Sequence, residues 1–78
     1  MKTYELKNVH FVPESLSNGT WYANVEQFAG VESDYFLIGT VEGPTKESLN
    51  KLVYDLLKKH FRAPEGSIFK TRWAELTP

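Results

Sequence analysis

Between residues 45 and 62 the apolar positions repeat at helical spacing. Leu49, Leu52, Val53, Leu56, Leu57 and His60 fall on one stripe of a 3.6-residue helix. Glu47, Lys51, Asp55 and Lys59 stand four apart on the other side and alternate in sign, which predicts a solvated face laced with weak ion pairs. Gly43 and Pro44 break whatever precedes, and Thr45 is a good N-cap with Glu47 in the first turn. Lys58, Lys59 and Arg62 suit the negative end of the helix dipole, and Ala63-Pro64-Glu65-Gly66 stops the helix.

Four strand-like runs surround this helix, three before it and one after. In the first, Tyr4 and Leu6 share one face and Val9 and Phe11 the other, so the phase flips near Lys7-Asn8. This predicts a bulge or strong twist, with only part of the strand facing the core. The second run alternates Trp21, Ala23, Val25 against Tyr22, Asn24, Glu26 and is entered through Ser17-Asn18-Gly19. The third, residues 35–41, is apolar on both sides for its first four positions, as expected of a central strand. The fourth, residues 67–76, sets Phe69 and Trp73 on one face and turns Lys70 and Arg72 outward. Residues 13–19 and 30–34 read as loops. The predicted fold is α+β: one domain over residues 1–78, β-β-β-α-β, an antiparallel-rich four-stranded sheet with the helix packed on one face.

A single helix covers a single sheet face, and two tryptophans, four tyrosines and five phenylalanines are more than one such interface hides. Some of them, Tyr22, Phe36 or Tyr54, are therefore expected to be left at the surface, where grouped aromatics mark a contact area. Charge sharpens this picture. The net charge is −1, yet residues 13–42 hold Glu14, Glu26, Glu32, Asp34 and Glu42 and no Lys or Arg. Residues 43–72 carry Lys46, Lys51, Lys58, Lys59, Arg62, Lys70 and Arg72 against three acids. An acidic strand-and-loop surface suits a protein partner with a basic surface, whereas the basic half suits a phosphate backbone.

Candidate chemistry changes little. His10 and His60 lie far apart without metal-ligand spacing, so no metal or other cofactor is expected. There is no cysteine, no G-x-S-x-G elbow, and no glycine pattern of a phosphate-binding loop. Glu32 and Asp34 sit in a polar turn, where neighbouring acids face solvent. We therefore expect no enzymatic activity. No run approaches the roughly 18 apolar residues needed to span a bilayer, and a cytoplasmic location without membrane attachment is the simplest expectation. A chain of 78 residues is near the lower size for a self-sufficient core, and an open sheet has free edges, so homodimerisation through an edge strand is also expected.

The run Asn18-Gly19-Thr20-Trp21-Tyr22-Ala23, the helix opening Gly43-Pro44-Thr45-Lys46-Glu47-Ser48-Leu49 and the order of elements over residues 4–73 resemble HicB-type antitoxins. That resemblance implies a partial ribonuclease-H-like domain that has lost nuclease activity and binds and blocks a small toxin. The same Gly-Thr-Trp-Tyr-Ala run is similar to the arm-binding domains of tyrosine integrases, whose corresponding strands are basic where these are acidic. A short phage or mobile-element inhibitor of a host defence system is a third compatible class.

The reading is thus a non-enzymatic interaction module that inhibits a protein partner by occluding its surface, through Tyr22, Glu26, Glu32, Asp34 and Phe36. The alternative is a nucleic-acid-binding accessory protein using Lys58, Lys59, Arg62, Lys70 and Arg72.

Overall fold

A computed structural model of the chain describes residues 2–29, 34–72 and 74–78. Glu32, Trp73 and most of the loop expected at residues 30–34 lie outside the described residues. The fold is α+β, and the described residues form seven strands, one helix and a four-stranded antiparallel sheet.

That sheet contains β2 (Val9–Phe11), β3 (Glu14–Ser15), β4 (Trp21–Phe28) and β5 (Tyr35–Gly43). β4 is its centre: β5 runs antiparallel along one side, and β2 and β3 follow one another along the other. A second, three-stranded sheet contains β1 (Thr3–Leu6), β6 (Ile68–Thr71) and β7 (Glu75–Leu76), with β1 parallel and β7 antiparallel to β6.

The phase flip at Lys7-Asn8 is a two-residue turn joining β1 to β2, and it hands the first strand from one sheet to the other. Both halves consequently face the core: Leu6, Val9 and Phe11 are all buried, where the alternation alone predicts that only one half is. Residues 13–19 contain the short β3 as well as a turn. There Gly19 takes φ 88°, a conformation open to glycine, and Leu16 N–H donates to the Thr20 carbonyl at 2.7 Å. The last run is likewise two strands, folded back by a turn in which the Thr71 hydroxyl donates to the Ala74 carbonyl at 2.8 Å.

Helix α1 (Lys46–His60) begins as predicted. The Ser48 N–H donates to Thr45 Oγ1 at 3.1 Å and the Thr45 N–H to Ser48 Oγ at 3.3 Å, a reciprocal cap that satisfies two otherwise orphan donors. Its end comes earlier than predicted. The Ala63 N–H donates to the Lys58 carbonyl at 2.9 Å and the Arg62 N–H to that of Lys59 at 3.3 Å, closing a Schellman turn with Arg62 at φ 53°.

Leu49, Val53 and Leu57 are fully buried, Leu52 and Leu56 partly so, and His60 is exposed. Of the three aromatics offered as candidates for the surface, Tyr54 is buried, because the helix serves two sheets at once. Its flank meets Phe69 of β6 edge-to-face, with ring centroids 5.3 Å apart. Ala23 and Val25 of β4 and Leu76 of β7 join the same core. The shortest Cα extent of the molecule, 18 Å, accommodates one helix layer on one sheet layer, since packed layers lie about 10 Å apart. The other face of the four-stranded sheet therefore has no layer over it among the described residues.

Candidate functional site: the uncovered face and edge of the four-stranded sheet

Registers and glycines fix which residues lie on which face. A Cβ on Gly39 would sit 3.0 Å from Leu56 and one on Gly43 2.3 Å from Ser48 Oγ, so the odd positions of this part of β5 face the helix. Their alternates, Thr40 and Glu42, face away. Val25 pairs with Gly39 but Glu26 pairs with Leu37, so Ile38 is one extra residue, a β-bulge that reverses the alternation. Beyond it, Leu37 and Tyr35 point to the uncovered face and Phe36 to the helix side.

The uncovered face is thus a short grid. Across one end run Glu14, Tyr22 and Glu42, one from each of β3, β4 and β5. Next comes Asn24 beside Thr40, whose hydroxyl donates to Asn24 Oδ1 at 2.8 Å. His10, Glu26 and Leu37 form the following row, and Phe28 with Tyr35 the last. His10 stacks on Phe28 with centroids 5.1 Å apart and planes at 11°, and Phe28 meets Tyr35 edge-to-face at 5.9 Å. The His10 Nδ1 is buried and has no hydrogen-bond partner among the described residues.

This grid has an acidic end and an aromatic end and carries neither Lys nor Arg. At the acidic end the Glu14 carboxylate accepts a hydrogen bond from the Tyr22 hydroxyl, and its charge adds to the effect, so the phenol is held above its ordinary pKa. At the other end Tyr35 is 58 % exposed, Leu37 56 % and Phe36 47 %. Three consecutive large apolar residues in water are unusual on a single strand, and they sit on a strand that is not central. Among the described residues β5 pairs only with β4, so its other edge carries free backbone donors and acceptors. The central position expected for residues 35–41 is corrected: apolar character on both faces reflects exposure, not burial on two sides.

Of the residues expected at a protein contact, Tyr22 and Glu26 lie together on the uncovered face. Phe36 lies on the opposite face by register and is half-exposed there. Asp34 is exposed in the loop before β5, and its carbonyl accepts from the Ala29 N–H at 2.8 Å. His10, Phe28, Tyr35 and Leu37 escaped the sequence reading. Alternation along residues 21–28 does place Phe28 beside Glu26, but the cross-strand partners depend on the bulge.

The basic residues are dispersed and interleaved with acids. Lys58 pairs with Glu65, which accepts its hydrogen bond and holds the ammonium above its ordinary pKa. Lys51 bridges Asp55 at 3.3 Å. Lys70 lies in one row of the smaller sheet between Glu5 and Glu75. Lys59 and Arg62 are exposed at the end of α1, and Arg72 is exposed after β6. No group of three His, Asp or Glu side chains among the described residues could hold a metal ion, and no described helix is long and apolar enough to cross a membrane. Comparison of the chain with protein-family models, curated proteins and solved structures finds no match.

Proposed function

We propose that this chain is a non-enzymatic protein-binding module that acts by covering part of a partner protein, with the uncovered face of the four-stranded sheet as its contact surface. The observation that carries the reading is the exposure of Tyr35 and Leu37 on an edge strand, beside the stacked His10 and Phe28 rings on the same face. Grouped apolar and aromatic surface of this kind is costly to leave in water and is the usual centre of a protein interface.

Two further features support it. Tyr22 and Glu26 give the patch a polar continuation, as in a rim around an apolar centre. The bases that would serve nucleic acid alternate with carboxylates in the Lys51–Asp55 and Lys58–Glu65 pairs and in the Glu5–Lys70–Glu75 row, and such interleaving weakens the field a phosphate backbone would feel. Inhibition by occlusion is the mode that the resemblance to HicB-type antitoxins suggests, with a small protein as the occluded party.

The test is capture of partners from lysate on the tagged chain, with and without nuclease, beside a Tyr35→Ser/Leu37→Ser variant whose fold is checked by its melting temperature. The reading predicts a stoichiometric protein that survives nuclease on the wild type and is lost on the variant. Nucleic acid alone, or a protein retained equally by both chains, contradicts it.

A further inference from the structure

Resting on that protein-binding reading, we propose that the partner contributes an extended, basic segment that adds as a further strand to the outer edge of β5. The two long-side edges of the sheet are built differently. The edge opposite β5 is broken into two short strands, β2 of three residues and β3 of two, separated by Val12-Pro13 and exposing Glu14, all devices that discourage pairing. The edge at β5 is nine residues long and has neither Lys nor Pro within it. The only interruption is the bulge at Ile38, which leaves a regular stretch from Gly39 to Gly43.

Charge selects the occupant. An added strand would lay every second side chain on the uncovered face, next to Tyr35 and Leu37 at one end and Glu42 at the other. Glu42 would lie directly beside the added strand and Glu26 one strand further in on that face, with no Lys or Arg in either row. An incoming segment with arginine or lysine on that side, and an apolar residue toward Tyr35 and Leu37, complements both ends. A second copy of this chain pairing through its own β5 would instead double the carboxylates on one continuous face and bring no cation.

The experiment uses the full chain and a short labelled peptide alternating valine with arginine, followed by fluorescence anisotropy. Its comparators are the same length alternating valine with glutamate, and the basic peptide N-methylated at one or the other set of alternate residues. An added strand bonds to an edge through every second residue, so one methylated set should abolish binding and the other leave it intact. The acidic peptide should bind at least about tenfold more weakly, and Glu26→Lys/Glu42→Lys should remove the preference. Equal binding of acidic and basic peptides, equal tolerance of both methylated sets, or a dimer in sedimentation that Leu37→Ser dissociates would each overturn strand addition by a basic segment. Should the peptides fail while capture of a protein still depends on Tyr35 and Leu37, the docking mode falls and the binding function stands.

Discussion

The hydroxyl of Tyr54 donates to the backbone carbonyl of Ser67 at 2.8 Å, inside a site where both residues are buried. This bond ties the middle of the helix to the start of β6 and so fastens the smaller sheet to the layer that carries the uncovered face. Ser67 in turn donates its own hydroxyl to the Pro64 carbonyl at 2.6 Å, which holds the connection between helix and strand in place. Tyr54→Phe keeps the ring contact with Phe69 but strands a buried carbonyl. It should destabilise the chain by about 1–2 kcal/mol without changing the fold, read as a lowered melting temperature with unchanged circular dichroism.

Arg62 occupies the left-handed position that ends the helix, where a side chain costs about 1 kcal/mol and glycine costs little. Arg62→Gly should therefore raise stability by up to about 1 kcal/mol, while Arg62→Ala should not. Denaturant midpoints of the two variants check this.

Gly43 and Gly39 both lie under the helix but differ in what a methyl group would meet. At Gly43 it would come within 2.3 Å of the Ser48 hydroxyl, which belongs to the helix cap, whereas at Gly39 it would meet only the end of the Leu56 side chain at 3.0 Å. Gly43→Ala should cost about 1–3 kcal/mol, because the cap must shift or break. Gly39→Ala should cost clearly less, since Leu56 has other rotamers. Thermal melts of the pair rank the two effects.

The Tyr22 phenol titrates above its ordinary value because Glu14 accepts its proton in a hydrogen bond and adds negative charge beside it. A raised folded-state pKa favours the neutral phenol in the fold. The corresponding stabilisation is complete below the unfolded pKa and disappears as pH climbs through the folded one. Glu14→Gln should bring the Tyr22 ionisation back toward its ordinary position in an ultraviolet titration, and an unchanged curve would mean that the two side chains do not meet in solution.

Much of the scaffold is legible in the residues. Thr45 and the leucine stripe define the helix because capping and periodicity are local signals. The alternation of Trp21, Ala23 and Val25 gives the buried side of β4 for the same reason. What escapes is everything decided between distant segments. Tyr54 is buried by a second sheet whose existence depends on the turn at Lys7-Asn8. Leu37 and Tyr35 reach the uncovered face only because Ile38 is an extra residue opposite β4. An apolar run such as residues 35–38 is compatible with a central strand or with an exposed edge, since composition records hydrophobicity and not which neighbours arrive. The site was accordingly half legible: Tyr22 and Glu26 follow from alternation, whereas His10, Phe28, Tyr35 and Leu37 meet through register.

The most direct test of the central claim is amide hydrogen exchange on the chain alone and in complex with the protein it captures. Exchange reports, residue by residue, which backbone becomes protected on binding. Binding through the β5 edge should bring new protection along Tyr35–Gly43, with little change in the last turn of α1 or in β6. Protection concentrated at Lys58, Lys59, Arg62 and Lys70, with β5 exchanging as fast as in the free chain, would contradict it.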